Sequence, residues 1–414
     1  MNVLFLHQNF PGQFAHLAPA MAARGDRVHA LTSRVRAPTR WQGVEVLPYA
    51  HPDPGPQSLH PWMQTLNAAV HRGTSVLRAA EALKARGMMP DLIVAHPGWG
   101  EALFLRDLWP RARIALFCEF HYRAEGADVG FDPEFSGRRE FGAAHRMTFK
   151  NMAMNMQLEQ ADGGISPTHW QAGTFPPELQ RKIEVIHDGI DTGALRPDPA
   201  ARLQIEGLGS WSRDDELITF VNRNLEPYRG FHVFMRALPE LLRRRPGAQV
   251  LIVGEDGVSY GRAPEGGGTW RAALTAQIAD RMRPEDWGRV HFAGRLSRAD
   301  FTSMLQVSRV HVYLTYPFVL SWSLLEAMSV GCAVVASGTP PVAEAIEEGR
   351  TGRLFDFFDG ARMTELICEL GEDAAQRARL GAAARADTIA RYDLEAICLP
   401  AQLSYLDGLM TPRG

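Results

Sequence analysis

The chain has 414 residues, 45% hydrophobic and 22% charged, a composition normal for a soluble globular protein. That length exceeds one ordinary core and predicts two domains of roughly 200 residues each. A net charge of −3 excludes the basic excess of a nucleic-acid binder, and no apolar run approaches the ~20 residues of a membrane helix. The opening MNVLFLHQNF reads as a short buried strand. It has no basic region ahead of its apolar run and is therefore not expected to be a leader. Cys118, Cys332, Cys368 and Cys398 are far apart and sit in apolar contexts, so buried reduced thiols in a cytoplasmic protein are expected, with no zinc pairing.

The first half alternates strands and helices. Strands are predicted at Val3–Leu6, Val28–Thr32, Leu92–Ala95 and Ile114–Cys118, with short apolar runs at Gly164-Ile165 and Val185-Ile186. Helices are predicted at Gln13–Arg24, Thr65–Arg86 and roughly 139–160. A Pro-rich loop spans 51–61 and a polar loop 123–138. The pattern is that of an open parallel sheet covered on both faces by helices. Residues Ile190–Ala200, with Gly193, Pro197 and Pro199, form the best linker candidate.

The second half repeats the style. Strands are predicted at Leu217–Asn222, Val250–Val253 and Val290–Phe292. Helices follow at Gly230–Arg245, 270–282, Ala361–Glu372 and Ala374–Tyr392, and the segment Tyr392–Met410 is helix-prone. Val310–Tyr316, Trp322–Val330 and Ala333–Ala336 form one strand–helix–strand crossover unit. Ligands in such units sit at the carboxyl ends of strands, beside the amino end of the next helix. That helix end suits a phosphate, Ser321 and Ser323 can cap it, and Glu326 lies one turn inside, placed to accept hydrogen bonds from ribose hydroxyls. Arg223 and Arg229 lie between a strand end and a helix start, and two planar cations there suit a diphosphate. Gly254 and Gly294 each end a strand, where glycine lets backbone approach a flat ligand. Two doubly wound α/β domains would leave a cleft between them.

Taken in order, HQNFPGQF, IEVIHDGIDT, RNLEPYRG and EAMSVGCAVVASGTPPVAEAIEEGRTG resemble the retaining GT-B glycosyltransferases of family four, over nearly the whole chain. LTYPFVLSWSLLEAM resembles a bacterial polysaccharide and glycoconjugate subgroup. The resemblance implies two Rossmann-like domains: an acceptor-side domain at 1–190, joined by the terminal helix near 393–414, then a linker at 191–200 and a donor-side domain at 201–392. It implies that Arg223 and Arg229 bind the donor diphosphate, that Ser321 and Trp322 hold the distal phosphate through backbone N–H groups, and that Glu326 binds ribose. It also implies that Gly294 and Arg295 touch the base, that His121 lies near the transferred sugar, and that Gly12 approaches the diphosphate. The first Glu of the Glu-x7-Glu motif is replaced by Phe318, which leaves recognition of the donor sugar open. His96, and the acidic Asp128, Asp132 and Glu134 of a loop, are secondary candidates.

The implied reaction moves a sugar from a UDP- or GDP-sugar to a hydroxyl acceptor with retention, with no metal or other cofactor, because arginines and a helix dipole stabilise the leaving diphosphate. The acceptor, whether glycan, lipid-linked, protein or small molecule, is not legible, and membrane contact is at most peripheral. A nucleotide-sugar epimerase, a phosphorylase and a non-catalytic nucleotide-sugar binding protein remain as alternatives.

Overall fold

The computed structural model describes residues 1–50, 58–135 and 142–411. Most of the Pro-rich loop at 51–61, the end of the loop at 123–138 and the start of the helix expected at 139–160 lie outside these residues. The chain divides into two compact units, Met1–Gly189 with Leu394–Gly414, and Ile190–Asp393.

The first unit holds strands β1 (Asn2–Leu6), β2 (Arg27–Thr32), β3 (Thr39–Trp41), β4 (Val44–Pro48), β5 (Leu92–Ala95), β6 (Arg113–Phe117), β7 (Gly163–Ser166) and β8 (Ile183–Val185). Their order across the sheet is β3-β4-β2-β1-β5-β6-β7-β8. All pairings are parallel except β3 with β4. The order reverses direction between β1 and β5, so a topological switch point lies there, where doubly wound sheets receive ligands. The strands read as continuous apolar runs because helices cover both faces: Val3, Leu4, Phe5 and Leu6 are all buried.

Two expectations shift in this unit. The helix expected over Gln13–Arg24 begins only at Leu17 and runs Leu17–Ala23, after a 3-10 turn at Gly12–Phe14. Pro19 sits in the first turn of that helix, and its ring would clash with the carbonyl four residues back if the helix began earlier. The hairpin of β3 and β4 was not expected. Gln42 and Gly43 both have positive φ, 45° and 84°, which suits the tight two-residue turn of a twisted hairpin.

The terminal helix Leu399–Met410 packs on this unit. Leu406 is buried in the core with Phe14 and Met21. The Tyr405 hydroxyl accepts the Gly164 N–H at 2.8 Å, Gln402 donates to the His187 carbonyl at 2.9 Å, and Arg24 grips Asp407 with two nitrogens at 2.9 Å each.

The second unit opens with an antiparallel pair, β9 (Arg202–Ile205) and β10 (Gly209–Ser212). Its main sheet contains β11 (Leu217–Asn224), β12 (Gln249–Glu255), β13 (Val290–Gly294), β14 (Val310–Tyr313), β15 (Val334–Ser337) and β16 (Arg353–Phe355). The order is β13-β12-β11-β14-β15-β16, with every pairing parallel. Here the switch point lies between β11 and β14. The strand expected to run to Tyr316 stops at Tyr313: its pairing with β11 ends at Val312 and with β15 at Tyr313, and the chain then turns into the switch region.

The segment expected as a linker belongs to the second unit. Ile190 and Leu195 are buried in its core. Ser329 donates to the Leu195 carbonyl at 2.6 Å, and Arg385 donates to the carbonyls of Thr192 and Leu195. Ile190 bridges to Asp393, so the chain enters and leaves this unit side by side.

Candidate active site

The carboxyl ends of β11, β12 and β13 and the helix Trp322–Ser329 surround a cavity of about 490 Å³ in the second unit. Its wall includes Arg223, Gly254, Gly294, Arg295, Arg298 and Glu326. Each strand delivers its residue by ending there. β11 loses register with β12 between Val221 and Asn224, and this irregularity carries the exposed Arg223. β12 passes so close to β11 that a Cβ on Gly254 would stand 2.8 Å from the Asn222 carbonyl oxygen and from the Leu225 side chain. A larger residue would push the two strand ends apart.

Glu326 is buried, and its Oε1 lies 2.6 Å from a guanidinium nitrogen of Arg298, whose own side chain is 62% exposed. Burial raises the Glu326 carboxyl above its ordinary value, and Arg298 partly opposes this. Three guanidinium groups therefore share the cavity with a carboxylate that one of them orients. Arg298 was not anticipated. It begins the helix Arg298–Val307, and nothing in its local spacing announces a partner on another helix.

Arg229 does not join this wall. It is buried, donating to the Thr315 hydroxyl at 2.7 Å and the Val319 carbonyl at 3.1 Å. Its guanidinium carbon lies 5.4 Å from the Tyr260 ring centre and 5.7 Å from that of Phe318, within cation–π range. Burial pulls its pKa down, but its electrostatic interactions with Tyr313, Tyr260 and Tyr228 more than offset this, so it stands above its ordinary value. It ties the end of β11 to the segment after β14, across the switch point. The two arginines, six apart in sequence, are thus placed in different surroundings.

Phe318 fills its position with ring contacts, 5.1 Å from Tyr228 and 4.9 Å from Tyr260. The buried Glu226 fixes that enclosure. It accepts the backbone N–H groups of Ser259, Tyr260 and Gly261 at 3.2, 3.3 and 2.9 Å, and so pins Tyr260 over Arg229. Glu226 was also not anticipated, because its partners lie on a loop beyond β12. Ser321 caps the helix Trp322–Ser329 by accepting the Ser323 N–H. Its own N–H donates to the Tyr313 hydroxyl at 3.0 Å, and Trp322 is 43% exposed.

In the first unit, His121 is buried with both ring nitrogens engaged. Asn151 donates to Nδ1 at 3.2 Å, which leaves the proton on Nε2, facing Asn155 Oδ1 at 3.0 Å. Burial holds its pKa below the ordinary value. Gly12 has φ of 49°, and a Cβ there would meet the His7 ring at 2.5 Å; it lets the first loop cross over that ring. His96 is buried at the end of β5. Asp132 accepts the N–H of Glu134 at 2.9 Å within its loop.

Residues 24–195 match the Glycosyl transferase family 4 group, and residues 209–387 match the Glycosyl transferases group 1. The chain belongs to the family-four glycosyltransferases of GT-B fold. It is 26% identical over 232 residues to the D-inositol 3-phosphate glycosyltransferase of Streptomyces scabiei, covering 55% of this chain and 50% of that one. It is 29% identical over 268 residues to the phosphatidyl-myo-inositol mannosyltransferase of Mycolicibacterium smegmatis, covering 58% and 64%. The chain thus spans about half the length of the first curated relatives it matches. Among solved structures, sucrose-phosphate synthase from Thermosynechococcus elongatus superposes with a TM-score of 0.72 at 17% identity, over 98% of this chain and 99% of that one. Anabaena HepE in complex with UDP-glucose gives 0.64 at 17% identity, over 98% and 100%. At that identity these two structures speak for the fold alone. No helix among the described residues is long and apolar enough to cross a membrane.

Proposed function

We propose that this family-four protein moves a sugar from a UDP- or GDP-sugar to a hydroxyl of a polyol acceptor, in the cytoplasm, with retention of anomeric configuration and without a metal ion. The observation that carries the reading is the cavity at the ends of β11, β12 and β13, with Arg223, Arg295 and Arg298 beside a buried Glu326. A nucleoside diphosphate presents anionic oxygens and a ribose diol, and this wall offers a partner for each.

Arg223 stabilises the charge that grows on the departing diphosphate, acting as a preorganised cation. Glu326, oriented by Arg298, accepts hydrogen bonds from the ribose hydroxyls. Arg229 adds a fixed positive charge behind the strand ends and holds the switch region in shape. These cations supply the charge neutralisation for which other phosphoryl-leaving reactions recruit a divalent ion. Family membership supports retention and a nucleotide-sugar donor. The named relatives act on inositol-type acceptors, which supports a polyol hydroxyl as the acceptor class.

The test is a transfer assay with UDP-glucose and GDP-mannose, each with and without D-inositol 3-phosphate and simple glycosides, in buffer containing a chelator. Acceptor-dependent release of UDP or GDP is the expected result. Donor binding with no release in any combination would leave a nucleotide-sugar binding protein, the second reading, which the burial of Phe318 at the motif position favours. Failure of every nucleotide to bind would remove both readings.

A further inference from the structure

The switch point of the first unit carries a second constellation, which none of the roles assigned above uses. His7 follows β1, His96 follows β5 and Glu119 follows β6, so three neighbouring strands bring them to one edge of the sheet. Asn9 donates its backbone N–H to His7 Nδ1 at 3.0 Å. The His7 proton therefore sits on Nε2, which faces Gln13 Oε1 at 2.8 Å. That contact fixes the Gln13 amide, whose nitrogen donates to Glu119 Oε1 at 2.8 Å. Gly98 likewise donates to His96 Nδ1 at 3.2 Å, so the His96 proton sits on Nε2, 3.5 Å from Glu119 Oε2.

The hydrogen bonds through His7 and Gln13 run toward one carboxylate, and His96 Nε2 stands 3.5 Å from its other oxygen. His7 and His96 are buried, whereas the Glu119 side chain is 30% exposed. Glu119 and Gln13 form the partly exposed end of the network. The Glu119 backbone is fixed as well, since the buried Gln171 donates to the Glu119 carbonyl at 2.7 Å. Trp99, half-buried, stacks on the His96 ring at 4.4 Å and 29°, and Arg72 holds its carbonyl at 3.0 Å. A carboxylate with one oxygen held by an amide and lone pairs to spare accepts hydrogen bonds from hydroxyls. Trp99, which shares the His96 neighbour with Glu119, offers an aromatic surface that suits the C–H side of a ring, and apolar walls with a few oriented polar groups are the usual make-up of a small-molecule site.

We propose that Glu119 is an acceptor-binding residue, which takes a hydroxyl pair of a ring polyol while Trp99 supports the ring, and that Gln13, His7 and His96 act as positioning residues. The assignment rests on the glycosyltransferase reading above and names residues for its acceptor side.

Saturation-transfer NMR with myo-inositol and methyl α-mannoside, on the full chain, tests it. The samples are wild type, Glu119→Gln, Glu119→Asp and Gln13→Ala, and each is also titrated with UDP and GDP. At least one polyol binds the wild type. Its signal falls at least tenfold in Glu119→Gln, falls less in Gln13→Ala and partly returns in Glu119→Asp, while nucleotide affinity is unchanged in all four. The proposal is overturned if neither polyol binds the wild type, or if Glu119→Gln binds as the wild type does. Should Glu119→Gln fail to fold, the Glu119→Asp and Gln13→Ala comparison decides, with equal polyol signals in both and in wild type as the contrary result. Failure of the glycosyltransferase reading is distinct: it shows as loss of UDP and GDP binding in the wild type, whatever happens at Glu119.

Discussion

Both sheets reverse their strand order once, and the two switch points carry opposite chemistry. Between β1 and β5 the first unit gathers two buried histidines beside one partly exposed carboxylate, His7 reaching it through the Gln13 amide. Between β11 and β14 the second unit buries a charged arginine among tyrosines, while a second arginine, at the end of β11, stands in a cavity wall. The same topology thus presents a carboxylate at the switch point of one unit and guanidinium groups at that of the other. Strand order fixes where a ligand can sit, and the side chains at the strand ends fix which ligand it is.

The contrast is sharpest between Arg229 and Arg223. Arg229 is built in, so Arg229→Ala leaves the Thr315 hydroxyl and Val319 carbonyl without their donor and opens a gap among three aromatic rings. We expect a loss of about 2–4 kcal/mol of stability, read by urea unfolding. Near-wild-type stability would show that the buried cation is not what ties β11 to the switch region. Arg223 is exposed, and Arg223→Ala should change stability by less than about 0.5 kcal/mol. Its effect belongs to binding: nucleoside diphosphate affinity should fall about ten- to a hundredfold, or about 1.5–3 kcal/mol. Equal losses of stability in both variants would erase the distinction.

Titration offers a way to separate the units. His7 is held down to about 3 from 6.5 by burial and by the neighbouring His96. The unfolded chain therefore takes up that proton first, and the stability contributed by neutral His7 is complete above pH 6.5 and declines as pH falls toward 3. Glu326 has the opposite sign. Burial raises it, so the folded state binds the proton more tightly, and stability is lost as pH rises from 4.5 through its raised value. His311, buried on β14 and held at about 4, gives the second unit an acid-sensitive group of its own, so substitutions decide the matter. In melts at pH 7 and pH 5, His7→Asn should lose less on acidification than wild type; an unchanged loss would remove His7 as its source.

The smallest effect is expected at the cavity mouth. Glu326→Gln removes a buried charge whose partner is mostly exposed, so stability at pH 7 should change by no more than about 1 kcal/mol, neutral or upward. Nucleoside binding should weaken at the same time. A large destabilisation would mean that the Arg298 pair supports the fold and does not merely orient the carboxylate.

The lining of the cavity at the ends of β11, β12 and β13 was largely legible in the sequence because its parts are local. Arg223, Gly254, Gly294 and Arg295 each stand where an apolar run ends, and Glu326 stands one turn into a helix with a clear cap. Residues whose meaning depends on distant partners were not legible. Gln13 meets Glu119 across 106 positions, and Glu226 is explained only by a loop 33 to 35 positions later. Arg229 looked equivalent to Arg223 because spacing does not report burial. The antiparallel pair β9 and β10 did leave a signal. Leu203 and Trp211 are buried among exposed neighbours on either side of Gly207, whose φ is 74°, but the segment is short and adjoins the glycine- and proline-rich stretch read as a linker.

One measurement bears most directly on the central claim: calorimetric titration of wild type and Arg223→Ala with UDP and GDP, in chelator and at matched fold by circular dichroism. We predict that one of the two nucleotides binds the wild type and that its affinity drops at least tenfold in the variant. Binding of neither nucleotide, or equal binding by both proteins, would contradict the assignment of this cavity to a nucleotide-sugar donor.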